Sequence, residues 1–204
     1  MKGNSGRGIS GTYGIVQSLW LLMCLIHTRI FFGKARLVRL PIFLRGRRQI
    51  YFGAGFTCGY LVRLDAFGAP GCIYFGRNVQ LNDFVHIGAL EKVHIGDNVL
   101  IASRVFITDH GHGNYAEDVE NSDPGQAPDI RTLHAQPVTI EDNVWIGENV
   151  CILPGSHIGK GCVIGAGAVV KGVIPPYSIA VGAPAVVVKR FDQALGRWVR
   201  VPRP

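Results

Sequence analysis

Two histidines separated by a single residue carry the strongest chemical signal in this chain. They lie in the run Ile107-Thr-Asp-His110-Gly-His112-Gly-Asn-Tyr115. After them comes a stretch, 111–137, rich in Asp, Pro, Gly and Asn, which reads as a loop. A loop longer than about 15 residues in a compact domain is usually functional or disordered. Imidazoles at its root can serve as a general base, because histidine changes charge near neutral pH. The bland alternative is a histidine that caps a turn.

Something must hold that root still, and the residues around it show what. Large aliphatic side chains recur every six residues at Ile140, Ile146, Ile152, Ile158, Ile164 and Val170. Two positions before each stand Val138, Val144, Val150, Ser156, Cys162 and Ala168. Strand side chains alternate faces, so positions i−2 and i share one face, and that face must be the core. Gly147, Gly159 and Gly165 follow aliphatic positions, and Asn143 and Asn149 lie three beyond others. Both types tolerate left-handed backbone at a turn. Upstream the template returns in separate frames: Ile95, Ile101, Ile107; then Phe75, Leu81, Ile87; then, more weakly, Phe52, Cys58, Leu64. The frame shifts near 66–72, near 90–92 and across 111–137, where insertions must leave the coil as loops. One short strand and one turn per repeat, with three repeats per coil, makes a triangular prism whose coils must stack to bury a core. The expected fold is therefore all-β, a parallel β-helix over 50–190. A basic, apolar helical segment at 1–49 would precede it and a short C-terminal segment at 191–204 would follow. A β-sandwich would not reset its alternation every six residues.

Charge sharpens the division. The 204 residues carry a formal +7, yet residues 1–48 hold nine Lys/Arg and no acid, and the first acid is Asp65. The remainder holds 12 bases against 14 acids. A basic segment suits anionic lipid or phosphate. No aromatic–basic interleaving follows it, which argues against nucleic acid. Thirteen of the residues 15–32 are apolar, but the unbroken run Leu19 to Ile26 is too short to span a bilayer. No clean cleavage site follows, which argues against a signal peptide. A helix packed on the protein or a neighbouring copy is the first reading, and a helix lying in a membrane interface is the second. Five cysteines, an odd number without a CxxC, argue against a disulfide framework or zinc knuckle and fit a reducing cytosol.

Several stretches together resemble one family. They are Gly76-Arg-Asn-Val-Gln-Leu-Asn82, Ile95-Gly-Asp-Asn-Val-Leu-Ile-Ala102, Asn143-Val-Trp-Ile-Gly147, Ile164-Gly-Ala-Gly167, Ile174-Pro-Pro176 and Val181-Gly-Ala-Pro184. Residues 73–190 look like hexapeptide-repeat acetyltransferases of the galactoside, maltose and nodulation type. The whole chain, with Arg63-Leu-Asp-Ala-Phe67, looks most like bacterial O-antigen or surface-polysaccharide O-acetyltransferases. The resemblance implies a left-handed coil, a homotrimer with active sites between subunits, acetyl-CoA as donor, a sugar or glycan acceptor that can be lipid-linked, and no metal.

The resemblance also implies roles. An ungapped match places the family's base at His112, with His110 as competitor and orienter, and the substrate-orienting asparagine at Asn82. Asp65 is either an acceptor contact or a residue that simply fits the repeat. Ala166 and Lys171 match the pantetheine arm and phosphate approach, and Lys189 a basic position near the 3′-phosphate. Gly147 falls on the expected CoA wall, and Trp145 is either a structural aromatic or one that lines the same groove. Glu148 stands where the family has a small hydroxyl residue, and Val186 where it often has a second Arg. Transfer to an amine of an amino sugar or nucleotide sugar would use the same base. A zinc hydratase of the γ-carbonic-anhydrase kind would draw on His86, His94, His110, His112 and His157, but their spacing does not reproduce its ligand set. A non-catalytic scaffold would leave the coincidence of His112 and Asn82 without a reason.

Overall fold

The computed structural model describes residues 14–115 and 121–202. Short strands wind around three faces in a parallel β-solenoid, each pairing with the strand one coil away. The fourth coil shows the plan. Leu100–Ile101 lies on the first face and Phe106–Thr108 on the second; after the long loop, Val138–Ile140 lies on the third. The aliphatic positions of the repeat stack on their equivalents. On the first face Leu81, Ile101, Ile146 and Ile164 are in register. Leu64, Ile87, Ile107, Ile152 and Val170 stack on the second. All of these side chains are buried. Such ladders leave little slack, because a missing methylene in one rung is not filled from the next.

The corners explain the frame shifts. The breaks near 66–72, at 90–92 and beyond Thr108 all fall between the second and third faces, here called the second corner. The corner between the first and second faces is the first corner. Asn143 and Asn149 take the left-handed conformation expected of them, at φ 58 and 57. The three glycines do not. A Cβ at Gly147 would lie 2.7 Å from the Ala166 nitrogen, one at Gly159 would lie 2.5 Å from the Pro176 nitrogen, and one at Gly165 2.7 Å from Val181 Cγ1. Close approach of the next coil, not a left-handed turn, excludes side chains there.

Both ends of the solenoid differ from the expected boundaries. The helix α1 runs from Ile15 to Phe31, but the first coil starts at Leu37–Val38, inside the segment assigned to 1–49. Val38 pairs with Cys58 and Leu44 with Leu64. Only two repeats precede an insertion at 46–49, too few to show a period. Phe32 and Ala35 plug the open end of the core. At the other end, Val186–Asp192 and Arg197–Arg200 extend the first face as antiparallel strands, so a boundary at 190/191 cuts through a strand. All five cysteines are free thiols, and burial pushes that of Cys58 up to about 12.

Candidate active site

The long insertion leaves the second corner as a two-stranded antiparallel ribbon, not as irregular chain. His110–His112 pairs with Leu133–Ala135, His110 opposite Ala135 and His112 opposite Leu133. Between them, Pro128–Ile130 forms a single 3-10 turn.

At the base of the ribbon Asp109 is fully buried. Its carboxylate accepts N–H bonds from Leu90 (2.9 Å), Glu91 (2.7 Å) and Lys92 (2.6 Å), the corner one coil away. Its Oδ1 also lies 2.7 Å from His110 Nδ1. A carboxylate held this firmly fixes the ring and favours the tautomer with hydrogen on Nδ1, which leaves Nε2 free to accept a proton. The ring stands over Gly88, where an added Cβ would come 3.4 Å from Cε1, and Phe67 meets it edge-on at 6.1 Å. The absence of a side chain at Gly88 thus lets the imidazole lie close over that strand.

His112 is placed differently. It is exposed on the ribbon, and its ring has no hydrogen-bond partner among the described residues. Its carbonyl accepts a bond from the Tyr115 hydroxyl at 2.7 Å. The same hydroxyl receives a bond from Arg131 at 2.7 Å, so this part of the ribbon is tied to itself.

Asp65 is buried on the outer side of the second face, one strand from Gly88. Arg63 Nε donates to Oδ2 at 2.7 Å, His86 Nε2 is 3.1 Å from the same oxygen, and Arg45 Nε approaches Oδ1 at 3.3 Å. The Arg45 contact is an ion pair without hydrogen-bond alignment, so Oδ1 keeps an open lone pair. A buried carboxylate needs such partners, since desolvation would otherwise dominate. Asp65 is therefore part of an Arg–Asp–His cluster on the strand next to Gly88.

Asn82 sits half-buried at the first corner. The left-handed residue of that corner is Phe84 (φ 60), so a turn-asparagine role does not account for Asn82. The whole second face, Phe106–Thr108 in the coil that leads to His110, separates that histidine from Asn82. One chain therefore does not bring these two together. The residues matched to CoA divide in the same way. Gly147, Glu148 and Ala166 lie at the first corner, in line with Asn82, with exposed Trp145 on the first face just before them. Lys171 lies at the second corner and lines a cavity of about 500 Å³ with Tyr115, His134 and Leu153 beside the ribbon. Lys189 is on the C-terminal hairpin. Its register partner there is Arg200, a cation to which the repeat pattern does not point. The pair lines a groove of about 630 Å³ with Val181, Val188, Val201 and Pro202. Among the described residues no three His, Cys, Asp or Glu are grouped to hold a metal ion, and no helix is long and apolar enough to cross a membrane.

A solenoid of this repeat with a histidine ribbon at one corner defines the class. The family model for the bacterial transferase hexapeptide (six repeats) matches residues 137–172. WbbJ of Escherichia coli (strain K12), provisionally named a lipopolysaccharide biosynthesis O-acetyl transferase, is 45% identical over 186 residues, covering 91% of this chain and 94% of that protein. The chain belongs to the hexapeptide-repeat transferases. The galactoside O-acetyltransferase of the same organism is 39% identical over 59% of this chain and 55% of its own length. Among solved structures, a maltose O-acetyltransferase from Clostridium difficile 630 superposes with a TM-score of 0.52 at 28% identity, covering 88% of this chain and 90% of that one. AntD, a Bacillus cereus N-acyltransferase, shares the fold at a TM-score of 0.63 and 17% identity, over 83% and 89% of the two chains.

Proposed function

We propose that this protein transfers an acetyl group from acetyl-CoA to a sugar hydroxyl during synthesis of lipopolysaccharide O-antigen or another surface polysaccharide. The observation that carries the chemistry is the buried Asp109 locking His110 at the ribbon root. The name borne by WbbJ, a relative along nearly the whole chain, supports the acceptor class.

Acetyl-CoA, when bound, supplies the acetyl thioester. His110 Nε2 takes the proton of the acceptor hydroxyl, which frees the oxygen to attack the thioester carbonyl. The carbon–sulfur bond then breaks, and the imidazolium returns the proton to the leaving sulfur. Asp109 holds the ring in place through both transfers. The ungapped family match favours His112 for this step; the carboxylate partner favours His110. His112 then lines the approach to the site. Backbone N–H groups at a corner are assigned to the developing oxyanion, a term worth about 3–4 kcal/mol per donor in enzymes of other folds.

The placement of Asn82 favours a homotrimer. If Asn82 orients the acceptor that His110 deprotonates, the first corner of one subunit must meet the second corner of the next. Gly147, Glu148, Ala166 and Trp145 would then form one wall of the CoA groove, and Lys171 would come from the other subunit. Lys189 and Arg200 suit the phosphates at the far end of CoA, because two neighbouring cations and an apolar wall match phosphate and adenine together. The free thiols suit a reducing compartment, so the site of action is assigned to the cytoplasm.

Two measurements test this reading. Incubation with acetyl-CoA and surface-polysaccharide sugars is expected to release CoA thiol and yield an alkali-labile ester; an alkali-stable amide product would move the function to amino sugars. Lys189→Ala with Arg200→Ala is expected to raise KM for acetyl-CoA, by about tenfold for every 1.4 kcal/mol that the two cations contribute to holding phosphate, with kcat little changed. A fall in kcat at constant KM would remove both residues from CoA binding.

A further inference from the structure

The helix α1 faces the wrong way for a water-bathed element. Its two fully buried side chains, Cys24 and Thr28, are small and polar. Thr28 Oγ1 donates to Cys24 O at 2.6 Å and accepts from Val38 N at 2.8 Å, and Cys24 Sγ accepts from Leu40 N at 3.4 Å. Outward it shows Ile15, Leu19, Leu22, Met23, Ile26 and Ile30, each more than half exposed. A surface helix normally buries such residues, and an apolar patch of this kind marks an interaction site.

The surroundings of the helix decide what covers it. Seven Lys/Arg, from Arg29 to Arg48, surround its C-terminal end and the first coil, and no acid precedes Asp65. Asp65 itself is buried beneath Arg45, Arg63 and His86. The helix has 17 residues, about 26 Å of rise, short of the roughly 30 Å of a hydrocarbon core. The contacts of Thr28 and Cys24 also tie it to the first coil. It can lie in a surface but not cross one. In the ring proposed above every first coil lies at the same end, so the cations of all copies gather on one side of the assembly.

From this combination we infer that α1 and the cationic first coil dock on an anionic lipid surface, with the outward apolar residues inserted among the headgroups and Lys34, Arg36 and Arg48 over them. Trp20 on the same helix is 40% exposed, and indole is a side chain favoured at a membrane–water interface. This inference does not rest on the acyl-transfer reading.

The test uses the full chain and vesicles of phosphatidylcholine with or without a third phosphatidylglycerol. Co-sedimentation is expected with the anionic vesicles alone, and to fall at least tenfold between 50 mM and 500 mM salt. Met23→Glu with Ile26→Glu, both at exposed positions, is expected to lower binding at least tenfold. The same double variant should keep its oligomeric mass and its turnover of a soluble acceptor. Equal binding to both vesicle types, no binding to either, or a double variant that binds vesicles normally but changes oligomeric mass would each overturn the inference. The last outcome would assign the face to a neighbouring subunit. Loss of acetyl transfer in the unsubstituted chain would count against the enzyme reading and leave the docking result standing. Truncation through residue 48 is not a usable control, because it removes most of the first coil.

Discussion

Replacing His110 with Ala is expected to lower kcat/KM for acetyl transfer by about 10²–10⁴-fold, the usual contribution of a positioned acid–base group. His112→Ala is expected to stay within a few-fold of the parent. The contrast follows from geometry. His110 has a buried carboxylate on Nδ1. His112 is exposed and has no ring partner among the described residues. Both variants should fold, since neither side chain belongs to the aliphatic ladder. Measured CoA release, with thermal melting as the control for folding, decides the matter. A large loss in His112→Ala with activity kept in His110→Ala would return the base to the position of the family match and leave the Asp109–His110 pair as a clamp.

Asp109 supports the second large effect, and there the two substitutions separate two roles. In Asp109→Ala the N–H groups of Leu90, Glu91 and Lys92 lose their acceptor inside the protein. A buried donor left unpaired costs about 1–3 kcal/mol, so a loss of several kcal/mol and a loosened ribbon root are expected. Asp109→Asn keeps the volume. Its oxygen can serve Glu91 and Lys92, which turns its NH2 toward His110. The ring must then accept at Nδ1 and carry its hydrogen on Nε2, the wrong tautomer for a base. Activity is expected to fall about 10²–10⁴-fold, with a stability loss of about 1–3 kcal/mol. An active Asp109→Asn enzyme would show that Asp109 only braces the corner.

The solenoid is readable because its code is short and repeated. Each frame of six, such as Ile95, Ile101, Ile107, runs through three faces and stops where an insertion leaves the second corner. Where only two repeats stand between insertions, as at Val38 and Leu44, the pattern has no length to be seen. The glycines stand at the expected places for a different physical reason. Periodicity marks their position but does not tell a left-handed turn from a close neighbour in the next coil. Asp109 is hard to single out because an acid before a histidine is common, and its value lies in three amides supplied by residues 90–92. The directly adjacent Thr-Asp-His order is the one available signal. Arg200 becomes visible only when the terminal hairpin sets it opposite Lys189. Asp65 shows the limit from the other side, since Arg45 and His86 converge on it from the first and third coils and no local spacing predicts that.

The coils also measure distance. Arg45 belongs to the first and His110 leaves the fourth, three steps of about 4.8 Å along the prism axis. The imidazole therefore stands roughly 14 Å from the end that carries α1. If that end rests on lipid, a hydroxyl at headgroup level lies below the reach of the base, and one carried higher on a glycan comes level with it. The count of coils ahead of the ribbon would then select which unit of an anchored chain is acetylated. Adding or removing one whole coil there would shift the choice by a fixed height and leave the chemistry untouched.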